Sequence, residues 1–511
     1  MRLADLVHAA GLEAGSGSAP IEDSIEPSGI GELDIAGITL HSSAVEPGFL
    51  FAALPGHRAH GATFVPQAIA AGAIAVLTDA HGARLLQTPD VTTPDVTTLV
   101  VADPRAAVAQ LACAFWQSPT ESLTMVGVTG TNGKTTITHL VQAGLVGAGV
   151  SCGVIGTLGA DLPGHISVTN ERTTPEAPDL QATLAEMLRL GAGAVAMEVS
   201  SISLQEHRVD GITFDVAAFS GLTHDHLDYH GTMEAYFEAK AQLFEPLRAR
   251  HGVVVIDDNW GRALVDRAAI PLTTVSGQDP DADWFVTNSG DQVSVIGPDQ
   301  ASVRMPIAGD FALTNLAVSV AVCHHLGVPA QRAADAAVDC RVPGRMEVVD
   351  SAEGIDFIVD YAHTPDAIDR MVAMSAQTVG QRGGRVIVVV GAGGDRDPAK
   401  REGMGRAAAS HADLLIVTDD NPRSEDPATI RAAVLAGTTS LPCRVVEVAE
   451  RADAIERAVQ EAQRGDVVLI LGKGHEATQE VAGHVFAFDD RTVLASFVRR
   501  RFGGGEEGGQ R

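Results

Sequence analysis

Apolar residues along this chain fall into short unbroken runs separated by segments with helical spacing. Runs at 49–54 and 73–77 flank a helix predicted at 64–71, which makes a small α/β unit of residues 1–103. From residue 106 a helix leads into the run 123–128, a glycine-rich turn and a helix from 135; further runs follow at 194–198, 216–219 and 253–256. Continuous rather than alternating apolar runs indicate strands covered on both faces, and their alternation with helix-length segments is the βαβ pattern of a parallel sheet. After Cys340-Arg-Val-Pro-Gly-Arg-Met346 the rhythm resumes with runs at 357–360, 385–390, 414–418, 444–448 and 467–471. The predicted architecture is therefore α/β in three domains. A central parallel-sheet domain (104–339) lies between a small N-terminal α/β domain (1–103) and a Rossmann-like C-terminal α/β domain (340–502), with residues 503–511 as a disordered Gly-rich tail. Thr88-Pro-Asp-Val-Thr92 is duplicated at once as 93–97, which reads as a loop insertion.

Composition narrows the function. With 511 residues, 45% hydrophobic and 20% charged, the chain is globular and large enough for about three domains. A formal charge of -29 speaks against nucleic acid or an anionic membrane as partner, so any phosphate must be captured locally. No apolar run reaches the length of a bilayer span. Asp5 and His8 interrupt the opening amphipathic helix where a secretory signal would be apolar, so a cytoplasmic protein is expected. Five scattered cysteines without a C-x-x-C indicate neither a disulfide framework nor a zinc site. Of 36 basic residues only four are lysines, Lys134, Lys240, Lys400 and Lys473. Three of them lie in the motifs below; Lys400 is read as a chance survivor.

Gly130-Thr-Asn-Gly-Lys-Thr-Thr136 joins a buried strand to a helix and should cradle nucleotide phosphates with backbone N–H groups and the Lys134 ammonium. Thr135 takes the position of a Mg²⁺-binding hydroxyl, although Val128 stands where the strict phosphate-loop pattern has its first glycine. Glu198, ending an apolar strand before Val-Ser-Ser201, suits a Mg²⁺ ligand at the sheet edge where α/β proteins bind ligands. His224-Asp-His-Leu-Asp-Tyr-His230 admits zinc or a polar turn on its own, and Lys240 follows on a partly apolar helix where an ammonium would be expensive to bury.

Together with Asn315, Pro343-Gly-Arg345 and Asp360-Tyr-Ala-His363, these motifs resemble the Mur ligase family of ATP-dependent amide-forming enzymes, over nearly the whole chain. The resemblance implies ATP bound by Gly130, Thr131, Asn132, Gly133, Lys134, Thr135, Thr136, Asn315, Arg345 and Asp360. It also implies two Mg²⁺ ions served by Thr135, Glu198, His226 and Lys240, the last as a carbamate, with Lys134, Glu198, His226 and Lys240 as the catalytic set. Within the family the chain is similar to the branch that adds meso-2,6-diaminopimelate to UDP-N-acetylmuramoyl-L-alanyl-D-glutamate. That implies Ser42, Thr173, Thr174, Ser200 and Arg208 on the muramoyl-peptide side, and Arg396, Asp420, Asn421, Pro422, Arg423, Gly472 and Glu476 around diaminopimelate. Arg423 can fork onto the distal carboxylate that lysine lacks, and Glu476 can accept from the distal ammonium. The chain departs from the family at His41-Ser-Ser43, at Ile202, and at Glu206, where glutamine is frequent. The implied enzyme is a monomer whose third domain closes on the central one. Alternatives are a lysine-adding Mur ligase, a folylpolyglutamate synthase-like ligase, a nucleotide switch and a zinc hydrolase.

Overall fold

The structure is a computed structural model that describes residues 1–12, 33–56, 59–87, 96–169, 172–305 and 309–502. Most of the duplicated loop and all of the Gly-rich tail lie outside these residues. The described residues form three sheets stacked with helices, plus a separate hairpin.

The first sheet has four parallel strands, Gly37–Thr39, Phe49–Ala52, Ala75–Thr78 and Thr97–Val100, in sequence order. Helix Pro104–Phe115 buries Ala107, Val108 and Leu111 in this unit's core, so residue 103 lies at the foot of a helix that the first unit shares.

The central sheet has eleven strands. Its middle is parallel, with Thr124–Thr129 between Phe214–Phe219 and Ala194–Glu198, and Cys152–Gly156 beyond the latter. The sheet is mixed rather than wholly parallel. Trp284–Ser289 joins one edge parallel and Gln292–Ile296 and Gln300–Arg304 continue it antiparallel, as Gly159–Leu162 and Ile166–Val168 continue the other. Helices cover both faces, giving two apolar layers around Val126 and Val128 on one side and Met125 and Phe214 on the other.

The third sheet has six strands; Ile355–Asp360, Val467–Leu471, Val386–Val390 and Leu414–Val417 run parallel side by side, with Glu347–Ala352 antiparallel at one edge. Hairpin Thr478–Val481/His484–Ala487 follows. The Gly130–Thr136 loop, Glu198, Asp360, Asp420–Arg423 and Gly472 therefore lie at or just beyond the carboxyl ends of parallel strands, where α/β sheets open a crevice. The five cysteines are free. No helix of the described residues is long and apolar enough to cross a membrane.

Candidate active site

The phosphate loop takes its shape from two glycines. Gly130 has φ 140° and a Cβ there would lie 2.0 Å from Ser220 Oγ; Gly133 has φ 87° and its Cβ would lie 2.6 Å from Asn315 Oδ1. Only glycine meets both the dihedral and the space. Asn315, on helix Asp310–His325, is thereby seated against the loop. Residues beyond strand Phe214–Phe219 brace the other side: Thr131 N donates to Gly221 O at 3.0 Å and Thr131 Oγ1 to Thr223 O at 3.1 Å. Asn132 Nδ2 approaches Thr223 Oγ1 at 3.5 Å, and Thr136 follows in the first turn of helix Lys134–Gly147.

Lys134 Nζ donates to Gly130 O at 3.0 Å and Thr131 O at 2.9 Å, which centres its charge in the loop. Burial lowers its pKa, while Glu198 and Asp225 oppose. Glu198, on the strand beside the loop's own, is 1% exposed; its Oε1 accepts from Thr135 Oγ1 at 2.9 Å and from Thr157 N at 2.8 Å. Thr157, which the motifs did not single out, follows strand Cys152–Gly156 and fixes this carboxylate. Thr135 Oγ1 and the Glu198 carboxylate are adjacent hard oxygen donors, so this half of the site fits Mg²⁺.

Lys240 is 1% exposed, donates to Gly130 O at 2.8 Å, and lies 4.7 Å from the centre of the Tyr236 ring. Burial, reinforced by Lys134 and opposed by Asp225, holds its pKa well below the ordinary value. A protonated amine can neither hold a cation nor add to CO₂, and lowering the pKa favours the neutral form that combines with CO₂. The three histidines of the run part company. His224 Nε2 lies 3.4 Å from Asp397 Oδ2, His226 Nε2 3.4 Å from Asp225 Oδ2, and His230 Nε2 2.8 Å from Ser201 Oγ. Among the described residues no three His, Cys, Asp or Glu side chains gather as a metal site, which leaves the zinc reading without a ligand set.

Asp225 is the hub that the motifs did not reveal. His363 Nε2 approaches its carboxylate at 3.9 Å and Lys400 Nζ at 3.7 Å, both from the third domain. Burial works against ionisation, yet His226, His363 and Lys400 outweigh it and hold the carboxyl at about 2. Lys400 is thus no chance survivor: its side chain is 11% exposed and lies in the interdomain crevice. Arg345 crosses the same gap. Its Nη2 donates to Thr135 Oγ1 at 3.0 Å, and its guanidinium lies 4.3 Å from the Tyr361 ring centre. Asp360 steadies the Arg345 turn by accepting from Met346 N at 2.7 Å, and burial raises its pKa.

Three neighbouring strands of the third sheet supply the predicted amino-acid pocket. Asn421 Nδ2 donates to Glu476 Oε2 at 2.7 Å, Lys473 Nζ lies 3.3 Å from the same oxygen, and Gly472 N donates to Asp360 O at 3.1 Å. Burial and the nearby Asp420 raise the Glu476 pKa. Arg423 Nη1 donates to Gly394 O at 2.7 Å, and Gly394 N to Asn421 O at 2.8 Å, so the loop that carries exposed Arg396 lies on Asn421-Pro422-Arg423. The same loop holds Asp397 against His224, which joins this pocket to the central site.

On the muramoyl-peptide side, Thr157 Oγ1 donates to Thr173 Oγ1 at 3.2 Å and Thr174 Oγ1 to Glu198 O at 2.9 Å. Ser200 Oγ caps helix Ser201–Gln205 by accepting from Ser203 N at 3.0 Å, and Arg208 Nη1 donates to Thr174 O at 3.3 Å. Ser42 stands apart, its Oγ donating to Gln67 Oε1 at 3.2 Å within the first unit.

Fold and crevice together are those of a three-domain α/β P-loop protein whose second and third domains meet at one site. Residues 34–116 match the Mur ligase family catalytic domain, 128–323 the Mur ligase middle domain, and 344–474 the Mur ligase glutamate ligase domain. The chain belongs to the Mur ligase family. It is 45% identical over 487 residues to the UDP-N-acetylmuramoyl-L-alanyl-D-glutamate–2,6-diaminopimelate ligase of Streptomyces coelicolor, covering 93% of this chain and 94% of that protein. The enzyme of the same name from Corynebacterium glutamicum is 44% identical over 92% of this chain and 93% of its own. A solved structure of a ligase with that name superposes with a TM-score of 0.63 at 31% identity, covering 93% of this chain and 97% of its own.

Proposed function

We propose that this protein uses ATP to join meso-2,6-diaminopimelate to UDP-N-acetylmuramoyl-L-alanyl-D-glutamate, an acid–amino-acid ligation of peptidoglycan precursor synthesis, and that it works as a cytoplasmic monomer. The observation that carries the reading is the convergence of the phosphate loop, Arg345 and the Asp420–Arg423 pocket on one interdomain crevice. A nucleotide switch has no use for the last of these.

In the first step an oxygen of a D-glutamyl carboxylate attacks the γ-phosphorus of ATP, the bond to the β-phosphate oxygen breaks, and ADP leaves behind an acyl phosphate. Two anions must approach each other. Lys134 in the loop and Arg345 from the third domain offset their repulsion and align attacker with phosphorus. Mg²⁺, held by Thr135 and Glu198 with a second ion at His226 and the Lys240 carbamate, would neutralise further phosphate charge when bound. In the second step the amine of diaminopimelate attacks the acyl carbon, loses a proton, and phosphate departs. Arg423 holds the distal carboxylate, while Glu476 and a backbone carbonyl near Gly472 accept from the distal ammonium. Asn421 and Lys473 keep the Glu476 carboxylate in place.

The carbamate at Lys240 forms when the neutral amine adds to CO₂ and releases a proton. Depression of the Lys240 pKa supports it, because a fully protonated lysine has no lone pair to add. ADP release measured with the UDP-muramoyl dipeptide, comparing meso-diaminopimelate with L-lysine, tests the whole assignment. Turnover with diaminopimelate well above lysine is expected; equal turnover overturns the role of Arg423, and none with either overturns the ligase reading.

A further inference from the structure

The muramoyl-peptide side of the crevice carries more positive charge than Arg208 alone supplies. Arg105 sits in the first turn of helix Pro104–Phe115, its backbone N held by Asp103 Oδ1 at 3.0 Å. Its guanidinium reaches Glu206 Oε2 at 2.7 Å and Glu176 Oε2 at 3.5 Å. Glu176 also receives Arg172 at 2.5 Å and Arg208 at 3.1 Å. Three guanidiniums from three segments thus face two carboxylates, an excess of one positive charge around a glutamate that is 6% exposed. Arg208 Nε is buried and has no hydrogen-bond partner among the described residues. The surplus charge sits on Arg172, whose side chain is 46% exposed, while Arg208 Nε is a buried donor left without an acceptor, so the cluster has both the charge and a free donor for one more anion. It also adjoins the reaction: Arg208 Nη1 donates to Thr174 O, and Thr174 Oγ1 to the carbonyl of Glu198.

D-glutamate has two carboxylates, of which one becomes the amide. The other remains an anion through both chemical steps and has to be held. Glu206 makes this harder, since a carboxylate there repels an acidic peptide. Arg105 neutralises it, and Tyr229 Oη donates to its Oε1 at 3.1 Å.

We infer that Arg105 is a further specificity-determining residue: by pairing with Glu206 and Glu176 it completes, with Arg172 and Arg208, a guanidinium cradle for the carboxylate of the muramoyl dipeptide that is not activated. The inference rests on the proposed ligase reading. If Arg105 were only a strut between the first helix and the central domain, its loss would lower stability without altering recognition of that carboxylate.

The experiment compares the free-acid dipeptide with its isoglutamine form, in which the non-reacting carboxylate is an amide. Wild-type protein should use the amide with a KM at least about tenfold higher. Arg105→Ala should raise the KM for the acid by a similar factor of about ten, leave the KM for ATP within about twofold, and shrink the acid-to-amide preference. Arg105→Ala with Glu206→Gln should recover much of the loss, because the uncompensated carboxylate is gone. Glu206→Gln alone, which keeps every arginine, should strengthen the preference for the acid and so tests the idea even if Arg105→Ala fails to fold. A wild-type enzyme indifferent to the amide, or an Arg105→Ala protein that still discriminates as strongly as wild type, overturns the cradle. Absence of ATP turnover by wild type with either dipeptide overturns the ligase reading instead.

Discussion

Arg423→Ala is the sharpest probe of which amino acid the third domain selects. The backbone at this position is held independently of the side chain, with Arg423 N donating to Glu480 O at 2.9 Å and Ala482 N to Arg423 O at 2.7 Å. Its left-handed φ of 53° is equally unfavourable for alanine, so the substitution changes the guanidinium and little else. A forked pair with a carboxylate comprises two charge-assisted hydrogen bonds, each of about 1.5–3 kcal/mol in a dry site. One nitrogen already donates to Gly394 O and the side chain is 23% exposed, which discounts the pair for solvent screening. The expected loss is about 2–3 kcal/mol, a fall of roughly 30–150-fold in kcat/KM for meso-diaminopimelate. Steady-state ADP release at varied diaminopimelate measures it, with the KM for ATP and the weak turnover of L-lysine as controls. Lysine has no distal carboxylate, so its kcat/KM should be unchanged and the preference should narrow by the same factor. An equal loss with lysine, or a rise in the KM for ATP as large as that for diaminopimelate, would refute the fork.

Arg345→Ala should lower the rate of acyl phosphate formation by roughly 100–1000-fold, since it removes a guanidinium that reaches Thr135 of the phosphate loop from across the crevice. Single-turnover ADP formation checks this, and diaminopimelate binding by dialysis should be unchanged. Lys240→Arg cannot form a carbamate and should abolish turnover while ATP still binds by calorimetry; intact mass under CO₂-supplied native conditions should show the adduct on wild type and none on the variant. Burial holds His230, His363 and His475 each at about 4 in the folded protein, with His226, Lys400 and Arg345 respectively adding to the effect. Between the unfolded value near 6.5 and about 4 the unfolded chain therefore binds more protons than the folded one, so stability should fall as pH drops through that window. Thermal melts from pH 7 to 4 test the sign, and a His475→Gln protein should show a shallower decline.

What could be read in the chain depended on whether the signal was local. Ala194–Glu198 and Val467–Leu471 were delimited to the residue because strands buried on both faces are unbroken apolar runs. Gln292–Ile296 and Gln300–Arg304 were missed, since a strand wet on one face alternates and never forms such a run; their burial does alternate, and a period-two search could have found them. The phosphate loop and Glu198 were legible for the same local reason. Arg345 beside Thr135 bridges 210 positions, and no spacing rule could have supplied that pairing without the family resemblance. Lysine scarcity proved to be the one long-range signal. Lys240 and Lys473 are fully buried, Lys134 lies within the phosphate loop, and Lys400, read as chance, reaches Asp225 from the opposite domain. Arginine keeps its charge under all conditions and presents a planar fork, whereas a compact amine can approach carbonyls, or give up its proton as at Lys240, so the crevice uses lysine beside its arginines. The same reasoning applied to all four lysines would have marked Lys400 for a built role, while its place beside Asp225, between the central and third domains, comes only from the fold.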